Sequence, residues 1–440
     1  MPRSVRPRCW WKRPAKLPAT DTTSLRSAAV RAFRAAVRRA DPGLALTDCL
    51  RRTGLPRPNG DGKTIVVALG KAAPAMIRAL HGQITGPRVM LCVTHRENQE
   101  PVAGAEVFRA GHPVPDEIGH HAARRLREIL AETTERDVVL ALISGGGSAL
   151  LPAPPDGVTL DDKQALNRLL LQSGLDINAV NAVRQHVSVL KGGGLLRHAA
   201  PAPVTAYILS DVIGDDLRAI ASGPTVAPIA SRAEIRDLLD RKGIADALPD
   251  SIRRHLRQPE AATPLPKASN HLIGGNRESL ASAAAALAAF GEVRVIDEPL
   301  VGDVGEAAET VAETLSRAAQ EEGPKALIWG GETTVRVRGS GIGGRNQELA
   351  LRLAALMEDT PLARPWLFLS AGTDGRDGPT EAAGACVDAG TLPRIRAAGA
   401  APETFLARND SNSALTLSGD LLVTGATGTN VADVQILLLG

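Results

Sequence analysis

Side chains able to do chemistry are concentrated between residues 181 and 225. The sequence NAVRQHVSVLKGGGLL supplies Arg184, His186 and Lys191, and the following ILSDVIGDDL supplies an acidic cluster that begins at Asp211. Cations hold phosphate, carboxylates hold Mg²⁺ or accept a proton, and glycines let a backbone approach a ligand closely. This combination indicates phosphoryl transfer.

A glycine-rich turn follows an apolar run at 137–144 that predicts a buried strand. Backbone N–H groups in such a turn can surround an anion. The alternative is a flexible turn, but three glycines between two apolar runs are costly unless something approaches them closely. We therefore predict phosphate or nucleotide contacts from Ser144, Gly145, Gly146, Gly147 and Ser148, and from Lys191, Gly192 and Gly193.

Lys71 directly follows the predicted strand 64–70, in the sequence GKAA. A lysine there can lie against phosphate oxygens, whereas a plain surface lysine at a helix start is disfavoured by the helix dipole. Asp211 and Asp215 flank a short turn at the end of another strand. Either can bind Mg²⁺ or accept the proton of a substrate hydroxyl. Helix capping would explain one aspartate of this cluster but not all of them.

Polar clusters also follow strands in the last third of the chain, and four of them in one region predict a polar cleft lining. They are GGETT (330–334), GTDGRDGPT (372–380), NDS (409–411) and TGATGTN (424–430).

The stretch 339–344 matches GxGxxG, but the predicted strand before it, 335–338, alternates apolar and charged residues. A dinucleotide-binding strand is buried on both faces, so we favour an anion site at the next residue, Arg345, which can grip a carboxylate through two hydrogen bonds.

Continuous apolar strands followed by helices predict a parallel sheet covered on both faces. The strands are predicted at 64–70, 88–95, 137–144 and 204–211. Proline and small residues at 258–269 suggest a linker, after which the alternation of strand and helix restarts. A chain of 440 residues is too long for one ordinary core, so we predict an α/β protein of two domains with a cleft between them.

Composition argues against several other classes of protein. Residues 1–16 carry six Lys or Arg and no acid, which predicts a disordered basic tail over 1–22 rather than a targeting segment or a nucleic-acid arm. No apolar run approaches the ~20 residues that span a bilayer. The four cysteines lack CxxC spacing, which argues against zinc and fits a reducing cytoplasm. We expect no nucleic acid and no membrane partner.

From about Leu25 to its end the chain resembles the glycerate 2-kinase family, the two-domain type with a C-terminal MOFRL domain. The motifs are GKAA, SGGGSALL, VRQHVSVLKGG, ILSDVIGDDL, IASGPT, GGRNQELAL, SAGTDGRDGPTEAAGA and TGTNVADV. The resemblance implies a Rossmann-like α/β/α sandwich at 23–262 and a smaller MOFRL-type α/β domain at 263–440. It also implies ATP-dependent phosphorylation of D-glycerate to 2-phosphoglycerate, with Mg²⁺, in the interdomain cleft.

The resemblance also suggests roles for individual residues. Lys71 would neutralise phosphoryl charge, Asp211 would orient or deprotonate the glycerate hydroxyl, and Arg345 would hold the carboxylate or a phosphate. We further predict substrate contacts from Arg184, Asp374 and Asn409, and metal contacts from Asp211 and Asp215. Ala426 stands where the family's last turn usually has proline. This departure affects the expected detail of a substrate loop more than the expected reaction.

Other functions stay open at this stage. A hydroxypyruvate reductase that uses NAD(P)H is the first alternative, since that label is often attached to the family, and a non-catalytic sensor of sugar acids or nucleotides is the second. The residues alone do not choose between the 2- and 3-hydroxyl of glycerate. A homodimer is compatible with the sequence, which does not fix the oligomeric state.

Overall fold

Two β-sheets organise the molecule in the computed structural model, which describes residues 21–260 and 264–440. All but the last two residues of the predicted basic tail lie outside the described residues. The first sheet is entirely parallel, in the order β3–β2–β1–β4–β5–β6. Its strands are β1 (Thr64–Leu69), β2 (Arg88–His95), β3 (Glu106–Ala110), β4 (Val138–Ile143), β5 (Val204–Leu209) and β6 (Ala268–Gly274).

The prediction of a parallel sheet buried on both faces is confirmed. Every residue of β1, β4 and β5 is buried. Because successive side chains of a strand point to opposite faces, Val139 and Ala141 join the core on one face, and Leu140 and Leu142 join the core on the other. The helices on these two faces and beside them are α2 (Pro42–Thr53), α3 (Ala73–His81), α4 (Glu117–Ala131), α5 (Gly147–Leu150), α6 (Leu160–Gln172), α7 (Ile177–His186), α8 (Gly194–Ala199), α9 (Arg232–Arg241) and α10 (Asp250–Arg257), with 3₁₀ turns at Ile220–Ser222 and Ala245–Ala247.

The second sheet is mixed, in the order β12–β11–β10–β13–β9–β7, with β8 paired to β9. Its strands are β7 (Glu292–Val295), β8 (Leu300–Asp303), β9 (Lys325–Thr334), β10 (Trp366–Gly372), β11 (Gly384–Asp388), β12 (Leu421–Leu422) and β13 (Asp433–Leu439). Its helices are α11 (Asn276–Ala286), α12 (Val304–Ala318), α13 (Arg345–Leu356), α14 (Thr391–Ala397), α15 (Pro402–Ala407) and α16 (Ser411–Ser418).

Two features of this second sheet differ from the sequence-based expectation. The central strand β13, antiparallel to both its neighbours, was not recognised in the sequence. The predicted strand at 335–338 is wrong, because the chain leaves the sheet after Thr334 and is held by another loop instead. There the Arg338 N–H donates to Asn409 Oδ1 at 2.7 Å.

Two elements cross the boundary predicted at residues 262–263, and that division by sequence stays a prediction. The first helix, α1 (Thr22–Arg39), lies near the start of the chain but packs on the second sheet, where Ala32 and Phe33 join a core that includes Leu367 and Leu369. Strand β6 comes after the boundary but pairs with β5 in the first sheet. Within the residues described, no helix is both long and apolar enough to cross a membrane.

The order of the first sheet creates a switch point between β1 and β4. The chain runs from β1 outward through β2 and β3 on one side, then returns to place β4, β5 and β6 on the other. The loops that leave β1 and β4 at their carboxyl ends therefore diverge, and ligands of open α/β sheets bind in the crevice between such loops. Gly70–Lys71 and Ser144–Ser148 are the first residues of these two loops.

The packing of α1 gives a test of this architecture. Phe33 is fully buried, so Phe33→Ala is expected to lower the free energy of unfolding of the half that contains the second sheet by about 3–5 kcal/mol. Trp329 and Trp366 are both buried in that sheet, so the measurement is urea unfolding followed by tryptophan fluorescence. Arg31→Ala, an exposed change on the same helix, should stay within about 0.5 kcal/mol of the parent. Equal stability of the two variants would contradict the packing of α1.

Candidate active site

Backbone hydrogen bonds tie the two diverging loops together at the switch point. The Lys71 N–H donates to Gly145 O at 2.9 Å, and the Ala72 N–H donates to Ser144 Oγ at 3.1 Å. Gly70 has φ 119°, and a Cβ there would lie 2.3 Å from Ser144 Oγ, so only glycine fits this approach. Lys71 is thereby held beside the glycine-rich turn, as the sequence-based hypothesis requires.

The glycine-rich turn presents unpaired backbone donors. In the two described stretches, 21–260 and 264–440, the N–H groups of Gly145, Gly146 and Gly147 have no hydrogen-bond acceptor. Gly146 adopts φ 83°, and a Cβ there would lie 3.3 Å from Lys71 Cγ. These N–H groups are suited to an anion. Ser144 is different, because the residue is 2 % exposed and its hydroxyl is already bonded within the loops, so this geometry supports a positioning role and gives no support to the predicted phosphate contact.

Asp211 lies against the same turn, directly after β5. A Cβ on Gly145 would be only 2.0 Å from Asp211 Oδ2, so the glycine makes room for this carboxylate. Burial raises the pKa of Asp211 to about 6, and the positive charge of Lys71 acts against that rise. A carboxylate with this pKa is ionised at pH 7 but still basic enough to accept a proton from a hydroxyl during reaction.

The second sheet contributes a second group of charges at one of its edges. Because β9 and β13 are antiparallel, the end of β9 and the start of β13 lie at the same edge, where Glu332 and Asp433 meet Arg345. Arg345 donates from Nε to Asp433 Oδ2 at 2.6 Å and from Nη2 to Oδ1 at 3.0 Å, while Nη1 lies 3.1 Å from Glu332 Oε1. Burial opposes the charge of Arg345, but the bonds to Asp433 outweigh it and raise its pKa.

The two groups of charges face each other. Burial raises the pKa of Glu332, while the positive charges of Arg345 and Lys71 act against that rise, so Glu332 lies within electrostatic reach of both sheets' cations. The loop after β6 is also tied to the second sheet, since Asn276 Nδ2 donates to the carbonyls of Val431 and Asp433, each at 2.9 Å. The carboxyl edge of the first sheet therefore lies opposite this edge of the second.

The structure changes the expectation for Arg345. The bidentate grip predicted for a substrate carboxylate is already made with Asp433, whose side chain is 1 % exposed. Only the Nη1 edge faces the half-exposed Glu332, so a substrate group would have to meet that edge. The sequence did not indicate this arrangement, because Asp433 is recognisable there only as an acid that opens an apolar run.

Two predicted substrate contacts in the second sheet's half differ in their surroundings. Asp374 follows β10 at the same edge, and its charge acts on Glu332, so it belongs to the cleft. Asn409 does not: its Oδ1 accepts from the Arg338 N–H, its Nδ2 donates to Glu348, and its side chain is 8 % exposed. These contacts show the Asn409 carboxamide holding a loop and give no support to its predicted substrate contact, which stays a prediction.

The nucleotide contacts predicted for Gly192 and Gly193 likewise find no support in this geometry. Their N–H groups donate to the carbonyls of Ser222 and Gly223, at 3.1 and 2.9 Å, so they are not free to bind phosphate. Lys191 does reach the glycine-rich turn, because its Nζ donates to Ser148 O at 2.7 Å and to Ser148 Oγ at 2.9 Å.

Arg184 lies among the helices beyond that turn, where it donates to Asn167 Oδ1. In the described parts of the chain it forms no hydrogen bond or ion pair with Lys71, Asp211 or Arg345, so the structure does not bring it to these three side chains. Its predicted role as a substrate contact therefore finds no support in the geometry around Lys71.

The two carboxylates predicted to hold a metal point to different places. Asp211 lies at Gly145, whereas Asp215, with φ 57°, places Oδ1 beside Gly275 near Glu278. Asp215 Oδ1 and Glu278 Oε2 are both buried and have no hydrogen-bond partner among residues 21–260 and 264–440. No group of three or more His, Cys, Asp or Glu suited to a metal occurs among the residues described. Either Asp211 or Asp215 would still fit Mg²⁺, because the ion needs only one or two carboxylates when phosphate oxygens and water complete its coordination shell.

His112 was missed by the sequence analysis although it follows β3 at the carboxyl edge of the sheet. Its Cδ2 and Nε2 both lie 3.3 Å from the Cβ position of Gly146, beside Lys71. Partial burial and then the charge of Lys71 lower the pKa of His112, which keeps the imidazole neutral at pH 7. The available signal was a polar residue directly after a strand.

The GxGxxG match at 339–344 is not a dinucleotide site. Cβ atoms at Gly339 and Gly341 would clash with the Arg408 backbone, at 2.5 and 2.6 Å, and one at Gly344 would lie 2.2 Å from Asp377 Cγ. These glycines therefore allow close approach of the protein's own chain, with no strand before them to support a dinucleotide.

Comparison with known proteins identifies the relatives of this chain. Residues 28–257 match the family described as "Domain of unknown function (DUF4147)", and residues 325–433 match the MOFRL family. The D-glycerate 2-kinase of Thermotoga maritima is 38% identical over 429 residues, which cover 95% of this chain and 99% of that protein. The human glycerate kinase is 37% identical, over 85% of this chain and 84% of that protein. A protein of Agrobacterium vitis that is 39% identical, over 95% of each chain, carries the provisional name hydroxypyruvate reductase.

Solved structures agree with these relationships. The crystal structure of the Thermotoga maritima glycerate kinase superposes with a TM-score of 0.85 at 38% identity, over 95% of this chain and all of that one. A protein of known structure from Pyrococcus horikoshii superposes with a TM-score of 0.78 at 34% identity, over 96% of this chain and 99% of that one. Both halves of the fold, the motifs and these similarities lead to one conclusion: the chain belongs to the glycerate 2-kinase family.

Proposed function

We propose that this protein transfers the γ-phosphoryl group of ATP to the 2-hydroxyl of D-glycerate. The observation that carries this proposal is the convergence of Lys71, Asp211 and the unpaired N–H groups of Gly145–Gly147 at the switch point of the first sheet. Relatives at 37–40% identity that are named glycerate kinase or glycerate 2-kinase support the substrate and the reaction.

The donor phosphates would lie along the glycine-rich turn. Backbone N–H groups of Gly145, Gly146 and Gly147 would donate to phosphate oxygens, and Lys71 would neutralise the charge that builds up during transfer. Mg²⁺ would be held by Asp211 or Asp215 together with phosphate oxygens, and when bound it supplies further neutralisation of that charge.

Asp211 would act on the acceptor. The glycerate hydroxyl oxygen forms a bond to the γ-phosphorus, the bond from that phosphorus to the β–γ bridging oxygen breaks, and ADP leaves with the electron pair. Asp211 orients the hydroxyl and takes its proton. The glycerate carboxylate would meet Nη1 of Arg345, which Asp433 holds in place through the other edge of the guanidinium.

A reductase is the second candidate, favoured by the name of the Agrobacterium vitis relative alone. The packing of Gly339, Gly341 and Gly344 against the protein's own chain argues against it. The cytoplasm as location and a homodimer as assembly stay predictions.

The function is tested by following both reactions with the purified chain. With ATP, Mg²⁺ and D-glycerate, ³¹P NMR should show ADP and a phosphoglycerate, and with hydroxypyruvate the absorbance of NADH or NADPH should stay constant. Consumption of reduced nicotinamide without any ADP formation would overturn the proposal in favour of the reductase. A nucleotide that binds without either reaction would favour a sensor.

Substitution of the two central groups tests their roles. Lys71→Ala and Asp211→Asn are each expected to reduce kcat by at least about 100-fold with the fold retained, because each removes a charge positioned at the reacting phosphoryl group or hydroxyl. Lys63→Ala, just before the opposite end of β1, and Asp216→Asn, whose carboxylate is exposed and paired with Arg218, are the matched controls. A variant of Lys71 or Asp211 that turns over at the rate of its control would disprove that residue's role.

The pKa of Asp211 predicts a pH dependence. Because Asp211 must be ionised to accept a proton and its pKa is about 6, kcat/KM for D-glycerate should be constant at alkaline pH and fall tenfold per unit below about pH 6. The profile is measured with saturating ATP, and ATP binding is checked separately at each pH. Full activity retained down to pH 4 would contradict proton acceptance by Asp211.

A further inference from the structure

Three buried or half-buried cations lie together beyond the glycine-rich turn. They are Lys163 on α6, Arg184 on α7 and Lys191 in the loop after α7, and the exposed fractions of Lys163 and Lys191 are 7 % and 6 %. Burial is the main cause that lowers the pKa of Lys191, and the positive charges of Lys163 and Arg184 lower it further. The three side chains therefore form one electrostatic group, which we name the 163–184–191 cation cluster.

This cluster has no compensating negative charge. Across residues 21–260 and 264–440 no carboxylate forms an ion pair with any of the three cations. The remaining residues, 1–20 and 261–263, contain no Asp or Glu at all. Burial without a counter-charge lowers the pKa of Lys163 to about 7 and the pKa of Lys191 well below its ordinary value, so an anion from outside the chain would restore both ammonium groups and be bound favourably here.

Lys163, like Lys191, is held by hydrogen bonds within the protein, whereas most donors of Arg184 are not, in the part of the chain that the structure describes. The Nζ of Lys163 donates to Val187 O at 2.5 Å, at the carboxyl end of α7, where a cation is stabilised by the helix dipole. Arg184 makes a single hydrogen bond, to Asn167, and within the described segments its other N–H groups have no acceptor and are not sealed from solvent. Donors of this kind are available to a ligand.

The cluster is connected to the glycine-rich turn through Ser148. Lys191 Nζ donates to Ser148, whose Oγ lies 2.8 Å from Ser222 Oγ. Ala221 and Ser222 both have positive φ, 49° and 61°, which costs energy in residues other than glycine and is often retained at binding sites. Lys71 lies at one end of the turn and Lys191 at the other.

We infer that Arg184 and Lys191, with Lys163 behind them, form a second anion subsite that takes a non-transferred phosphate group of the nucleotide. This inference rests on the proposed nucleotide-dependent reaction. Arg184 would then contact the nucleotide and not glycerate. The cation cluster would anchor the polyphosphate, while the residues around Lys71 act on the transferred phosphoryl group.

The test is calorimetric titration of the full-length protein with ADP and Mg²⁺. Arg184→Met and Lys191→Met are each expected to raise the Kd for ADP by at least about tenfold, since each removes one or more charge-assisted hydrogen bonds. The Kd for D-glycerate should stay within about threefold. Arg184→Lys, which keeps the charge, should recover part of the affinity, and Arg168→Met, an exposed change on α6, should bind ADP as the parent does. Thermal unfolding confirms that each variant is folded.

Other outcomes of the titration would overturn either the anion subsite or the proposed function. If the variants keep the parent Kd for ADP, the subsite does not read nucleotide phosphate. If they lose affinity for D-glycerate or 2-phosphoglycerate alone, the cluster holds the acceptor or product instead. A parent protein that binds ADP but makes no phosphoglycerate would overturn the proposed function while leaving the subsite intact.

Discussion

The hydrogen bond from the Lys71 N–H to Gly145 O is the constraint on which the site depends. It joins the loops that diverge from β1 and β4, at the point of the first sheet where the strand order reverses direction. Because Gly70 allows the loops to touch, and Gly145 leaves space for Asp211, a cation and a carboxylate meet beside unpaired backbone donors. Ser144 supports this contact by accepting from the Ala72 N–H.

The second sheet contributes charged side chains to the site through antiparallel strand pairing. Its strands are antiparallel where they meet Arg345, so the end of β9 and the start of β13 bring Glu332 and Asp433 to one edge. Asp433 fixes the guanidinium and leaves one edge of it towards the cleft. Asn276 then ties the loop after β6 to the start of β13, which holds the two edges opposite each other. The charged side chains that line the cleft therefore come from two different sheets.

Much of the first sheet could be predicted because its information is local. Strands such as β1 and β4 are continuous apolar runs, and the residue after each run is necessarily at the carboxyl edge, which identified Lys71, Gly145 and Asp211. The glycines at 192 and 193 resemble those at 145–147 in sequence, yet their N–H groups are consumed by the 222–223 turn. Whether a backbone donor is free depends on a distant segment, which composition does not reveal.

The second sheet was less predictable because its pairing is not local. Strand β13 pairs with β9 and β10 over long sequence separations, so the contact of Asp433 with Arg345 had no signal near either residue. Asn409 carried a turn-like pattern that suggested a ligand contact, but it holds the 338–341 loop. α1 behaves similarly, since its apolar stripe indicates a buried face without indicating which sheet it covers.

We propose that this cleft presents the hydroxyl next to the glycerate carboxylate to Asp211. The most direct measurement couples the reaction with ATP, Mg²⁺ and D-glycerate to enolase alone, because enolase accepts 2-phosphoglycerate and not its 3-isomer. We expect an enolase signal that matches the rate of ADP release from the first minutes. ADP release without that signal would show that another hydroxyl or another acceptor is phosphorylated, and it would contradict phosphorylation of the 2-hydroxyl.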